Sequence, residues 1–234
     1  MSAGYQAARL ALPQRILPLM AITIGVVSQK GGSGKSTLCR LIACSFAADG
    51  WDVKIADLDI SQGTTFHWHR DRIEAGIRPE IAVESFSAVR RALDAGERHD
   101  LLVIDGAPHA TRATQEIAEN SNLVILPTGP SKDDLRPAVL LAHELVQTIP
   151  PKRVCFALFR TGTPAETEAA REYLTKASYA VLDGELPDRT TYRNASDQGR
   201  AVNETSVKSL NAHANQLAQS IVNRIAQHQN QKAA

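Results

Sequence analysis

Residues 28 to 37 read Ser28-Gln29-Lys30-Gly31-Gly32-Ser33-Gly34-Lys35-Ser36-Thr37, and the reading of this stretch decides the fold. Glycines at 31, 32 and 34 free the backbone to turn its N–H groups toward one point, and Gly34 is followed by Lys35 and Ser36, the order of a phosphate-binding loop. The ordinary spelling, G-x-x-x-x-G-K-[ST], would put glycine at position 29, where this chain has Gln29, and an additional lysine, Lys30, comes next. A glycine-rich turn with incidental lysines is the plain alternative. The flanks argue against it. An apolar run, AITIGVV at 21 to 27, precedes the loop, and Leu38, Leu41, Ile42 and Phe46 follow at helical spacing, with Gly50 as a stop. A strand, a glycine loop and a helix N-terminus in that order bring the loop amides and the positive helix end to the same anion.

Outward from the loop, short apolar runs recur between segments of helical periodicity: VKIAD at 53 to 57, LLVID at 101 to 105, NLVILPT at 122 to 128 and RVCFALF at 153 to 159. A weaker one is YAVLDGELP at 179 to 187. Continuous rather than alternating hydrophobicity predicts strands covered on both faces, joined by parallel crossovers. The expectation is an α/β, three-layer, doubly wound and mainly parallel sheet of the P-loop NTPase type. Near the end, Leu210, Ala214, Leu217, Ile221 and Ile225 mark a helix with one apolar face. Its other face is mostly Asn, Gln, Ser and His, which attracts anionic lipid weakly, so packing on the sheet is expected rather than membrane binding.

A chain of 234 residues that is 43% hydrophobic can bury a full core, and residues 20 to 226 are expected to form one domain. Residues 1 to 19 read as a loosely ordered extension and 227 to 234 as a tail. The extension makes a poor signal peptide because Pro13-Gln14-Arg15 interrupts its apolar stretch, and Met20 is an alternative start of translation. A net charge of +1 neither supports nor excludes nucleic acid. Cys39, Cys44 and Cys155 show no metal-ligand spacing and read as buried free thiols of a cytoplasmic protein.

Phosphoryl transfer needs Mg²⁺ held in place and a water aligned for attack, and carboxylates at the carboxyl ends of neighbouring strands can do both. Two strands supply them. One ends in Asp57-Leu58-Asp59 with Gln62 beyond, and the other ends in Asp105, after four apolar residues, followed by Gly106-Ala107-Pro108-His109. Lys35 would reach the β- and γ-phosphates, and the Ser36 hydroxyl would bind Mg²⁺.

With these residues in place the chain resembles the deviant Walker A ATPases of the ParA/MinD type, whose mark is K-G-G-x-G-K-[ST], present as Lys30 to Ser36. The likeness extends through the strand ends at 57 to 59 and 101 to 108, through NLVILPTGPSKDDL at 122 to 135 and through LPDRTTYRNASDQGRAVNE at 186 to 204. It is similar above all to the short plasmid-type ParA proteins. The resemblance implies ATP and Mg²⁺ as cofactors and a homodimer that forms on ATP binding. Lys30 would cross the interface to the partner's phosphates. Gly31, Gly32, Ser33, Gly34, Lys35, Ser36 and Thr37 would hold the nucleotide, with Pro187 and Asp188 near the base. Lys30, Lys35 and Asp59 would be catalytic, Asp59 by positioning water, and Ser36, Asp57 and Asp105 would serve the metal. It also implies a weak ATPase stimulated by a ParB-like or other adaptor protein, nonspecific double-stranded DNA as a partner, and nucleoid association when ATP is bound. Candidate DNA contacts are Lys152, Arg153, Arg171, Lys176, Arg193 and Arg200.

Two departures stand out. Relatives usually spell the second motif D-x-D-P-Q, whereas Ile60 and Ser61 precede Gln62 here, and an asparagine common after the fifth run is replaced by Phe159-Arg160. Two alternatives stay open: an ATP-dependent ligase of the dethiobiotin synthetase-like kind, which binds a small carboxylate beside the loop, and a MinD-like membrane-positioning ATPase. An iron–sulfur carrier is excluded by the placement of the cysteines.

Overall fold

The computed structural model describes residues 21–108 and 112–233, with side chains through residue 228. The expected extension at 1 to 19 and His109 lie outside the described residues. The chain alternates strands and helices: β1 (Ile22–Val26), α1 (Lys35–Ala48), β2 (Val53–Asp57), α2 (Thr64–Glu74), β3 (Ala82–Ser85), α3 (Val89–Gly96), β4 (Leu101–Asp105), α4 (Arg112–Asn120), β5 (Leu123–Thr128), α5 (Lys132–Leu145), β6 (Val154–Thr161), α6 (Pro164–Lys176), β7 (Ala180–Pro187), α7 (Thr190–Ser196) and α8 (Lys208–Ala233). The strands form one 7-stranded sheet, ordered β3-β2-β4-β1-β5-β6-β7, and every pairing is parallel.

Successive residues of each inner strand serve opposite faces. Leu101 and Val103 of β4, with Leu123 and Ile125 of β5, join a core closed by α1, α2, α7 and α8. Leu102, Ile104, Val124 and Leu126 join a second core under α3, α4, α5 and α6. Both faces are therefore dry, which is why the runs read as continuously apolar. Strand β3 escaped the sequence reading for the converse reason. It is a short edge strand, its Glu84 and Ser85 are exposed, and Lys54 pairs with Glu84 at 2.5 Å across it.

The sheet fixes where chemistry can occur. Strand β1 lies between β4 and β5, and the chain reverses direction across the sheet there. The register sets Val26 beside Asp105 and Asp57 beside Asp105, so the loop after β1 and the carboxylates ending β2 and β4 share one edge.

Helix α8 packs on the sheet as its spacing predicted: Ala214, Leu217 and Ile221 are fully buried, with Ile225 nearly so. The approach is close enough to require a glycine. Gly184 of β7 has φ of 81°, and a Cβ there would lie 2.8 Å from the Leu217 nitrogen. Gly184→Ala adds left-handed strain of about 1–2 kcal/mol and an overpacking cost of about 1–3 kcal/mol. The expected outcome is a lower urea midpoint at unchanged m-value, with a fall in Tm of about 5–10 °C.

Candidate functional site

The phosphate loop is shaped by backbone conformations that side chains resist. Gly32 and Gly34 have φ of 68° and 102°, and Gly34 caps α1 without a side-chain hydrogen bond. The first-turn amides of α1 are thereby left facing the loop's concave side. Ser28 closes the entrance: its Oγ accepts from the Lys30 N–H at 3.1 Å and donates to the Lys30 carbonyl at 3.2 Å. Gly31 and Gly32 are exposed, Thr37 is half-buried and Ser33 is buried. Lys35 is buried as well. Loss of water lowers its pKa, against the pull of the Asp105 and Asp59 carboxylates.

The structure brings Asp57, Asp59 and Asp105 to this loop. Asp105 is almost wholly buried, and its pKa is pushed up to about 6, first by burial and then by the neighbouring Asp57. Hydrogen bonds from Ser36 and from Thr65 Oγ1, the latter at 2.8 Å, favour its charged form. Burial also raises the Asp57 carboxyl, opposed by the amides of Asp59, Thr65 and Phe66. Asp57 Oδ1 accepts from the Asp59 N–H at 3.0 Å, while Oδ2 is buried without a well-formed hydrogen bond. Ser36, Asp57 and Asp105 thus offer hard oxygen donors, one of them unsatisfied, which fits Mg²⁺. Asp59 is less buried and sits in a tight turn, with Oδ1 accepting from Ser61 Oγ at 2.7 Å and the Gln62 N–H at 3.2 Å. Gln62 contributes its backbone here, and its side chain is exposed.

Beside the loop lies a cavity of about 360 Å³, whose walls include Gly34, Phe159, Pro187, Asp188, Tyr192 and Ser196. The segment 186 to 189 therefore lines one cavity with Gly32 and Gly34 of the phosphate loop. Phe159 is a wall of it: a Cβ on Gly34 would lie 2.4 Å from its ring. A larger cavity of about 470 Å³, near Ile22, Lys152 and His228, lies at the opposite end of the sheet.

Lys30 points elsewhere. Its side chain is about half exposed and its Nζ donates to Asp134 Oδ1 at 2.6 Å, with Arg160 3.9 Å from the same oxygen. Burial works against ionisation of Asp134, yet the bonds from Lys30 and Ser131 and the nearby Arg160 hold its carboxyl below the ordinary value. The sequence reading missed Asp134, Thr65, Tyr192, Ser196 and Arg40. Asp134 lay in the quoted block 122 to 135 and Tyr192 and Ser196 in the block 186 to 204, without being singled out, and nothing local set Thr65 or Arg40 apart.

The basic candidates divide. Arg153 is committed to the carbonyls of Ala118, Glu119 and Ser121 at the end of α4, and Arg171 to those of Leu182 and Gly184 and to Glu185. These two support the fold, which removes them as free DNA contacts. Lys176 pairs with Glu172 and Arg193 with Asp188 on the surface. Among the described residues no helix is long and apolar enough to cross a membrane, and no three His, Cys, Asp or Glu side chains cluster as metal ligands. Cys39, Cys44 and Cys155 are free and buried.

Residues 24–202 match the model of a family described as the CobQ/CobB/MinD/ParA nucleotide binding domain. The fold is that of several solved structures. One is the septum site-determining protein MinD complexed with Mg-ADP from Pyrococcus horikoshii, at 16% identity and TM-score 0.69, covering 86% of this chain and 96% of that one. McdA from Cyanothece in complex with ATP gives 13% identity and TM-score 0.65, over 89% of this chain and 97% of that one. A putative plasmid partition protein from Borrelia burgdorferi bound to AMPPNP gives 16% identity and TM-score 0.62, over 91% and 99%. No curated protein matches the chain in sequence.

The charge at Asp105 carries a test. A carboxyl whose folded pKa is about 6 binds its proton more readily folded than unfolded, so its ionised form opposes folding. That penalty is complete above pH 6 and fades as pH falls toward the unfolded value near 4. In EDTA and without nucleotide, Asp105→Asn is expected to raise unfolding free energy at pH 7.5 by about 2 kcal/mol, with the gain shrinking at lower pH in urea titrations.

Proposed function

The chain belongs to the CobQ/CobB/MinD/ParA nucleotide-binding family, and on that premise we propose that it is a partitioning or positioning ATPase of the ParA type. The observation that carries this reading is Lys30. A cation at the lip of its own phosphate loop, half exposed and held by a single surface ion pair, suits contact with a second copy of the chain. Two copies would then enclose two ATP molecules. Lys30 of each would act on its partner's phosphates as an arginine finger does, stabilising the charge that builds during transfer.

The remaining roles rest on the same reading. Loop amides and Lys35 bind the phosphates, Thr37 flanks them, and Pro187 and Asp188 stand at the base. Ser36, Asp57 and Asp105 would hold Mg²⁺, which when bound neutralises phosphate charge. Asp59, two residues past the end of β2 and less buried than Asp57 or Asp105, orients the attacking water. ATP shifts the population to the closed dimer, which binds nonspecific duplex DNA through phosphate contacts, and an adaptor protein on the cargo accelerates hydrolysis. DNA is preferred to membrane as the matrix because α8 spends its apolar face on the sheet. Lys152, Lys176, Arg193 and Arg200 are the remaining candidates for that contact.

The test is duplex DNA binding with and without ATP across a salt series. Wild type is expected to bind only with ATP and to lose affinity steeply with salt. Lys30→Ala should bind ATP but neither dimerise nor bind DNA. Asp59→Ala should keep ATP affinity within about threefold and lose turnover by roughly 100-fold. Binding that ignores ATP, or unchanged turnover in Asp59→Ala, overturns the respective assignment.

A further inference from the structure

Arg40 is the least expected cation in the molecule. It lies in α1, two turns beyond the loop, and is only 5% exposed. Among the described residues no carboxylate is within hydrogen-bond reach of it. Its guanidinium instead donates to Ser196 Oγ at 2.7 Å and to the Thr64 carbonyl at 2.7 Å, and it stacks 5.3 Å from the Trp68 ring centroid. Burying such a charge costs several kcal/mol, offset in part by the Asp105 and Asp57 carboxylates beyond hydrogen-bond reach. Besides its charge, the arginine adds a planar fork with two donors at fixed separation.

The two acceptors belong to different working parts. Ser196 ends α7 and lines the base cavity together with Tyr192. Thr64 begins α2, directly after the turn in which the Gly63 N–H donates to the Asp59 carbonyl at 2.8 Å. Thr65, the next residue, donates to Asp105. One guanidinium therefore ties the wall of the base cavity to the helix end that follows Asp59 and supports Asp105. Further along α2 the same two regions are joined again. Arg72 grips Glu204 through two hydrogen bonds at 2.7 and 2.9 Å and the Gly199 carbonyl at 3.1 Å, and Trp68 donates to the Arg200 carbonyl at 3.1 Å. These contacts hold the middle and far end of α2 to the segment after α7, whereas at the first residue of α2, beside the Asp59 turn, Arg40 makes the join to α7.

We propose that Arg40 is a positioning residue that makes the placement of Asp59 and Asp105 depend on whether a base fills the cavity. This rests on the ATPase reading and adds a coupling to it. When a base presses on α7, Ser196 moves with the wall and Arg40 carries the shift to the Thr64 carbonyl, setting the turn that holds Asp59. A nucleotide lacking the base leaves that turn unset.

The experiment compares hydrolysis of ATP and of ribose 5′-triphosphate, in the presence of duplex DNA, by wild type, Ser196→Ala, Arg40→Lys and the double variant. Wild type should hydrolyse ATP with the higher kcat. Each single variant should lower kcat for ATP by about fivefold, the worth of one hydrogen bond, and leave kcat for ribose triphosphate within about twofold. The double variant should be no worse than the poorer single one, because both remove the same link. Ser196→Ala keeps the Thr64 and Trp68 contacts of Arg40 but leaves one buried donor unmet, so its melting temperature should fall by only a few degrees and keep the test valid if Arg40→Lys folds poorly. Equal losses on both substrates, or additive losses in the double variant, overturn the coupling. A wild type that hydrolyses neither substrate overturns the ATPase reading instead.

Discussion

A loop that turns its amides toward one anion cannot also carry side chains on its inner surface, and this constraint organises the rest of the molecule. It places φ values of 68° and 102° at Gly32 and Gly34, where other residues are strained. It lets the Phe159 ring sit where a Cβ of residue 34 would stand, so the end of β6 comes within contact of the helix that starts at Lys35. The loop demands in turn a rigid strand before it and a helix after it. Both are supplied, by β1, which is buried along its whole length, and by α1, which is buried over most of its length.

The second consequence is electrostatic. Lys35 at the start of α1, Asp57 at the end of β2 and Asp105 at the end of β4 are all buried at one edge of the sheet, and burial disfavours the charge on each. Such a cluster opposes folding by itself. It is tolerable because the sheet on either side is dry and well packed, with both core layers running its full width. In the proposed site such poorly hydrated groups would bind phosphate and a hard cation more strongly than solvated ones do. On that reading, stability given up at the strand ends is converted into affinity at the same place.

Much of this was legible in the chain. Interior strands declare themselves because two covered faces force continuous apolar runs, so β1, β2, β4, β5 and β6 were all anticipated, and the edge strand β7 showed itself through a weaker run. The edge strand β3 did not, since Ala82-Val83-Glu84-Ser85 is half exposed and obeys no such rule. The glycines, Lys35, Ser36 and the strand-end aspartates were visible because their chemistry is tied to fixed spacing. Thr65, Ser196 and Arg40 were invisible for the opposite reason. Their partners lie 24 to 156 residues away, and only the folded chain sets them side by side. Arg153 and Arg171 show the same limit from the other side: as letters they read as surface charge, yet each is consumed by backbone carbonyls.

Lys30 and Arg40 show how one sequence uses cations in two ways. Both carry one positive charge, and both lie close to the phosphate loop in sequence. Lys30 sits at the exposed lip, where its ion pair with Asp134 competes with water and is worth little, so it is cheap to redirect. Arg40 is enclosed by α1, α2 and α7, and with no solvent to replace its two acceptors, moving any of the three helices strains it. A weakly held charge suits exchange of partners between molecules. A tightly held one suits transmission within a molecule. Exposure, more than charge, separates a group suited to reach outward from one suited to relay inward.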